Sequence, residues 1–306
     1  MFLTAEMISK IVEPDAEYIK TGFNIIDKRM KGLEKGSVSL ISGLRGAAKS
    51  TILGQIILNC IQADHTSVIY SGELSSKRFM RWLYMQAAGK GYTKQYKDYD
   101  SYYCPDELKP AIDKWMGDKM WLYNNNYGNN FQKISTCLKQ IILEHKADLC
   151  VIDNLMALDL AVPSIEKNDA QTAFVWTLKE IARECNVHVI FVAHPRKAQG
   201  FLRLDDVSGS GNISNIVDNA FIIHRNNADF QRLTQKDFAW PKSHDAYSGD
   251  NVIEVCKDRE GGLQDEFIPL WFESETKRLL NYRGENVMYT WERPWLGVDP
   301  DNIPFA

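Results

Sequence analysis

The residues with the clearest chemical purpose lie at Gly43-Leu-Arg-Gly46-Ala-Ala48-Lys49-Ser50-Thr51, directly after the apolar run Val38-Ser-Leu-Ile41. Their spacing follows the phosphate-loop pattern G-x-x-x-x-G-K-[ST], with Ala48 where the pattern has glycine. In such a loop, backbone N–H groups point inward around phosphate oxygens, and the positive end of the following helix adds to their field. Lys49 would reach the β- and γ-phosphates, and the Ser50 hydroxyl would ligate Mg²⁺. Gly43, Gly46, Ala48 and Thr51 complete the cradle, so the implied ligand is ATP or another nucleoside triphosphate with Mg²⁺. Glycine serves where the backbone needs a positive φ or a ligand comes close. A left-handed Ala48 would cost roughly 1 kcal/mol or somewhat more, weakening the loop without abolishing it.

Five further stations could complete such a site. Asp153 closes the apolar run Leu149-Cys-Val-Ile-Asp153, about 100 residues after the loop. A carboxylate there can hold Mg²⁺ through its water shell. Glu73 ends Val68-Ile-Tyr-Ser-Gly-Glu73 on the strand after the loop helix. If that strand neighbours the loop strand, Glu73 sits beside the γ-phosphate and can polarise the attacking water. His194 ends Phe191-Val-Ala-His194, where a polar group can sense the γ-phosphate. Lys257 and Arg259 are spaced i, i+2 and project to one side of an extended chain. They could reach a phosphate on a neighbouring subunit, as arginine fingers do. Arg225, ending Phe221-Ile-Ile-His-Arg225, has the same standing. Taken singly, a strand-end acid, a turn histidine or a Lys-x-Arg pair is commonly just solvated charge.

These stations need strands to carry them, and the pattern supplies them. Strands are expected near 37–42, 66–71, 148–153, 187–193, 219–224, 252–257 and 265–272. Helical stretches separate the early ones, as in crossovers of a mostly parallel sheet. The runs at 148–153 and 187–193 are nearly all apolar, as for strands buried on both faces. The last two strands, joined through Gly261-Gly262, read as an antiparallel edge hairpin. The fold class is therefore α/β. Residues 1–20 read as a linker with a short amphipathic helix at 4–12, and 21–280 as the nucleotide-binding domain. Residues 86–130 read as a helical insert, and 281–306 as an aperiodic tail.

The chain has 306 residues, is 44% hydrophobic and 25% charged, and carries a net charge of −4. It lacks an apolar run long enough for a membrane span and a basic start typical of a targeting peptide. Its six cysteines form no C-x-x-C pair and read as reduced thiols of a cytoplasmic protein. With this net charge, nucleic-acid contact must come from local loops. The basic–aromatic stretch Lys90–Lys97 runs straight into Asp98 and Asp100 and reads as solvated surface.

In order and spacing, the stations resemble the RecA-like ring helicases of the DnaB family, and within it the branch holding Twinkle and the phage primase-helicases. The resemblance covers about residues 15–275. It is carried by Thr21–Leu33, Gly43–Thr51, Ser71-Gly-Glu73, Ile152-Asp153-Asn154-Leu155, Val192-Ala-His194-Pro-Arg-Lys197, Ser208–Ile213 with Asp218–Ala220, and Lys257-Asp-Arg259. It implies a RecA-like P-loop core and a homo-hexamer with nucleotide sites between subunits. It also implies translocation on single-stranded DNA that unwinds duplex during replication. The DNA-facing loops would be Met156–Asp169 and Pro195–Asn212, with Arg196, Lys197, Arg203, Ser210, Gly211 and Asn212 meeting the strand. The helix near 4–12 would dock on the neighbouring subunit, and a primase or other replisome component would be a further partner. The setting would be a bacterial cytoplasm or a phage-infected host. The sequence carries no primase or TOPRIM-like region and no helical collar, so it reads as a helicase-only protein or an excised helicase domain. Two other readings of the same core are a RecA/RadA-type filament ATPase and a nucleotide-gated DNA-binding module weakened by Ala48.

Overall fold

The computed structural model describes residues 2–11, 15–160, 167–195, 201–207 and 212–292. The chain opens with helix α1 (Ala5–Ser9), capped by the Thr4 hydroxyl, which accepts the Met7 N–H at 3.2 Å. Strand β1 (Tyr18–Ile19), helix α2 (Asn24–Arg29) and strand β2 (Leu33–Glu34) follow, with β1 and β2 paired antiparallel. Next come β3 (Val38–Gly43), α3 (Lys49–Gln62), β4 (Ser67–Ser71) and α4 (Ser76–Ala88). A small hairpin of β5 (Lys94–Gln95) and β6 (Tyr102–Tyr103) leads to α5 (Lys109–Met116) and β7 (Met120–Leu122). Then follow α6 (Phe131–His145), β8 (Leu149–Asp153), α7 (Lys167–Cys185) and β9 (His188–Val192). The chain continues through α8 (Asn212–Ile216), β10 (Asn219–Arg225), α9 (Ala228–Phe238), β11 (Asn251–Asp258), β12 (Glu266–Glu273) and β13 (Arg278–Leu280).

Among the described residues, the main sheet has nine strands in the order β13-β12-β11-β10-β3-β9-β8-β4-β7. The six from β10 to β7 are mutually parallel, and β11, β12 and β13 extend the β10 edge antiparallel. Period-two burial explains the central strands. Leu149 and Val151 join the core beneath α3, whereas Cys150 and Ile152 join the core beneath α6 and α7. Helices thus cover both faces, and the carboxyl ends of the parallel strands converge on one rim. After β3 the chain crosses to one side for β4 and later to the other for β10, so β3 marks the switch point where such sheets bind ligands.

The structure departs from the sequence expectation in one segment and decides what the sequence left open in another. Residues 86–130 are not wholly helical: β7 adds a strand to the sheet edge, with Ser67 opposite Met120 and Ile69 opposite Leu122. Three residues are too few to show a period. The beginning of the expected tail is packed onto the domain. Tyr289 and Trp291 are buried, and the Trp291 indole N–H donates to the Ala87 carbonyl at 3.0 Å. The fully buried Arg278 donates to the Gln86 carbonyl at 2.6 Å and lies over the Tyr289 ring.

Candidate active site

The phosphate loop links β3 to α3 with a tightly wound backbone. Gly43 has φ 152° and Gly46 φ 77°, and Ala48 stands left-handed at φ 75°, ψ 26° as the residue before α3. A side chain at Gly43 would come within 2.5 Å of the Ile223 carbonyl on β10, so glycine is required there. Lys49 is buried at the helix start, and its Nζ donates to the carbonyls of Gly43 (2.8 Å) and Leu44 (3.1 Å). Burial lowers its pKa, while the charges of Asp153 and Glu73 pull it back up. Asn251, on β11, donates to the Ala47 carbonyl at 3.2 Å and braces the loop from the side.

The acidic groups meet this loop from other strands. The Ser50 hydroxyl donates to Asp153 Oδ2 at 2.7 Å. Burial is the largest influence on Asp153 and raises its pKa, with the Glu73 charge adding to the rise. Two hard oxygen donors at hydrogen-bond distance beside a lysine suit a Mg²⁺–phosphate ligand. Strand β4, which leads to Glu73, is not a neighbour of β3, since β9 and β8 lie between them. Glu73 reaches the cleft because it stands beyond the strand end. Its Oε1 accepts from Asn154 Nδ2 and lies 3.1 Å from His194 Nε2. Burial would raise the Glu73 pKa, but the bonds from His194 and Asn154 outweigh it and hold the carboxyl below its usual range. His194 Nε2 is also 2.8 Å from Asn154 Nδ2. Its lone pair can accept from Asn154, or its N–H can donate to Glu73, so the tautomer selects the partner.

Around these groups lies an open cleft of about 870 Å³, lined also by Arg45, Trp82, Arg225, Asp250 and Phe272. Arg225 therefore belongs to this chain's own cleft, in contrast to the expectation that it reaches a neighbouring subunit. The reason is register. Strand β11 runs antiparallel to β10, so Arg225 pairs with Asn251 at the cleft end, while Lys257 pairs with Ala220 at the other. Six residue steps along the strand carry Asn251 to Lys257, roughly 20 Å at about 3.3 Å each. Lys257 and Arg259 thus lie at the far end of the sheet, where they bond to the carbonyl end of α8. Of the residues assigned to DNA, Arg196, Lys197, Ser210 and Gly211 fall outside the described residues, and Asn212 begins α8. Arg203 lies over the rings of Phe201 (4.9 Å) and Phe238 (4.3 Å), so aromatic packing holds its planar face.

A family model described as the DnaB-like helicase C-terminal domain matches residues 18–281. This chain belongs to that family. It is 22% identical over 217 residues to the replicative DNA helicase DnaB of Helicobacter pylori, covering 68% of this chain and 43% of that protein. It is 25% identical over 221 residues to the chloroplastic/mitochondrial Twinkle homolog protein of Arabidopsis thaliana, covering 68% of this chain and 30% of that one. The chain thus spans less than half the length of these curated relatives. Among solved structures, a DnaB-like replicative helicase, described with its interactions with primase, superposes with a TM-score of 0.68. That match has 18% identity and covers 90% of this chain and 66% of the other. A second solved structure, described as an ATPase domain, gives a TM-score of 0.67 at 18% identity, covering 91% of this chain and 95% of that one. The shared fold is the RecA-like ATPase core.

Residues that sequence reasoning left without a role also line or brace this cleft. Asn154 connects Glu73 to His194, and its Oδ1 accepts the Ala157 N–H at 3.1 Å. Its place directly after Asp153 was the available signal. Trp82, Asp250, Asn251 and Phe272 carry no motif. They enter the cleft through the packing of α4 and through the antiparallel β11 and β12, which local spacing does not encode.

Proposed function

We propose that this chain is the motor domain of a replicative DNA helicase. It would hydrolyse a nucleoside triphosphate, move along single-stranded DNA and part the duplex ahead of it. The observation that carries the reading is the meeting of Lys49, Ser50, Asp153, Glu73, Asn154 and His194 in one cleft, with Lys257 and Arg259 standing at the opposite end of the sheet.

In this reading, the loop amides and Lys49 hold the β- and γ-phosphates, and Trp82, Arg225 and Phe272 offer aromatic and cationic faces to the nucleoside. Ser50 and Asp153 would hold Mg²⁺, which neutralises charge on the transferred phosphoryl group. Glu73, kept ionised by its two hydrogen bonds, takes a proton from the attacking water. The new bond forms to the γ-phosphorus, the bond to the β–γ bridging oxygen breaks, and the diphosphate leaves. His194 and Asn154 orient Glu73 and report whether a γ-phosphate is present. Lys257 and Arg259 complete the site of the next subunit in a homo-hexameric ring. Arg196, Lys197, Arg203, Ser210, Gly211 and Asn212 would supply the contacts with the DNA strand.

Helix α1 exposes Met7 and Ile8, and the residues just before it expose Phe2 and Leu3, an apolar set that would dock on an adjacent subunit. A primase is a reasonable replisome partner, because a solved DnaB-like helicase of the same fold is described with its primase interactions. The work would be done in the cytoplasm of a bacterium or a phage-infected host. Among the described residues, no helix is long and apolar enough to cross a membrane.

The test is ATP hydrolysis by the whole chain at micromolar concentration, with and without a single-stranded oligonucleotide, followed by strand displacement on a forked duplex. Stimulation by the single strand together with displacement supports the motor. ATP binding with neither turnover nor displacement would leave the nucleotide-gated binding module as the better description.

A further inference from the structure

Lys257 and Arg259 do not project freely from the end of β11. Lys257 Nζ donates to the carbonyls of Ser214 (2.8 Å) and Val217 (2.9 Å), and Arg259 Nη2 donates to that of Asn215 (2.6 Å). These carbonyls lie at the C-terminal end of α8, where a helix relies on donors from outside itself. Arg259 is held further by Asp218. Its Nη1 lies 3.1 Å from Asp218 Oδ1, and its backbone N–H donates to the Asp218 carbonyl at 3.0 Å. The other carboxylate oxygen, Oδ2, accepts the Val38 N–H at 2.9 Å and a bond from the ammonium of Lys179, which is 4% exposed. Asp218 is thus fixed from the first residue of β3 and from α7, and it grips the guanidinium with its free side.

We propose that Asp218 is the positioning residue for Arg259, setting the direction in which that guanidinium meets the neighbouring subunit's nucleotide. The proposal rests on the shared-site reading above. An arginine on a long flexible stem gains precision when part of its fork is anchored and the rest faces outward. The Arg259 side chain is 46% exposed, so it is anchored without being covered. Lys179 is taken up by the buried pair with Asp218 and lies within reach of the Glu34 charge, which leaves Lys257 and Arg259 as the two outer cations beside that carboxylate. Burial, and then the neighbouring Arg259 charge, lower the Lys257 pKa, in keeping with cations held close together.

The test measures ATP turnover of the whole chain with an oligodeoxythymidine. Asp218→Asn should lower kcat by at least about tenfold with KM for ATP unchanged, because the variant's own cleft is untouched. That substitution leaves Lys179 buried without a counter-charge and can compromise folding. The double variant Lys179→Met/Asp218→Asn removes both charges of the buried pair and keeps the test informative. Each variant is then mixed with Lys49→Ala chains, which lack the phosphate lysine but carry an intact Arg259. If Asp218 acts through Arg259, the mixture should turn over faster than either component alone, since the Lys49→Ala subunits supply a well-aimed Arg259 to the Asp218-variant sites. Arg259→Ala mixed with Lys49→Ala is the reference. Rescue in the reference without rescue of either Asp218 variant overturns the proposal. Full kcat in the variants, or a raised KM, also overturns it. No rescue in the reference means that the shared-site reading itself has failed, and the proposal falls with it.

Discussion

Ala48 is where one side chain sets the quality of the site. At φ 75° its Cβ crowds the backbone as any L-residue does in the left-handed region, and α3 begins at the next residue. Ala48→Gly should therefore stabilise the chain by about 0.5–1 kcal/mol, the relief of strain being partly offset by the greater freedom of glycine when unfolded. A urea titration checks this: the midpoint should rise with an unchanged slope, and an unmoved midpoint would mean that the loop is not strained. The two carboxylates of the cleft make a second prediction, because their pKa values move in opposite directions. Asp153 is raised above its ordinary value of 3.8, chiefly by burial, and Glu73 lies below its ordinary 4.5 because hydrogen bonds overcome burial. A lowered carboxyl keeps its charge down to its own pKa and loses it only as pH falls through that value, whereas a raised one takes up its proton earlier. Acidification should thus protonate Asp153 before Glu73 and, if the two act as proposed, weaken Mg²⁺–nucleotide binding before it stops turnover. Asn154→Ala removes one of the bonds that hold Glu73 down, so the acid limb of its kcat profile should move to higher pH than in the unmodified chain. An unmoved limb would leave Asn154 without influence on the base.

The elements decide which of these residues can meet, and they differ in how openly the sequence displays them. Strands β3, β4, β8 and β9 are runs of buried residues bounded by polar ends, so the loop, Glu73, Asp153 and His194 were legible as a set of strand tips. Sheet order was not legible, because it depends on crossovers between distant elements. For that reason Arg225 was grouped with Lys257 and Arg259, although the antiparallel turn into β11 puts it at the opposite end of the sheet. The segment after β13 was opaque for another reason. Its residues follow no period, yet Tyr289 and Trp291 lie in the core and Arg278 ties their segment to the end of α4. Packing of single aromatic side chains leaves no repeat to read. Trp291→Ala should lower the unfolding free energy by about 3–5 kcal/mol, the usual cost of emptying a buried aromatic site. Chemical denaturation measures this, and a loss under about 1 kcal/mol would mean that the segment only rests on the surface.

At the scale of the whole molecule, one cleft collects the phosphate loop, Glu73 and Asp153, while Lys257 and Arg259 stand roughly 20 Å away along the antiparallel β11. Side-chain motion does not bridge that span within one chain. If these cations act on phosphate, they act on the phosphate of another copy, and turnover becomes a property of the assembly. Specific activity should then rise steeply with protein concentration through the range in which rings form, and the most dilute chains should bind nucleotide while hardly hydrolysing it. Arg259→Ala should preserve nucleotide affinity and assembly yet lower single-strand-stimulated turnover by about 10³-fold or more, as loss of a transition-state cation does in related phosphoryl transfers. Light scattering or sedimentation, run beside the hydrolysis assay on the same samples, separates failed assembly from failed chemistry. Full turnover by assembled Arg259→Ala chains, or constant specific activity through dissociation into monomers, would place every essential group inside a single chain and remove the physical reason for a ring.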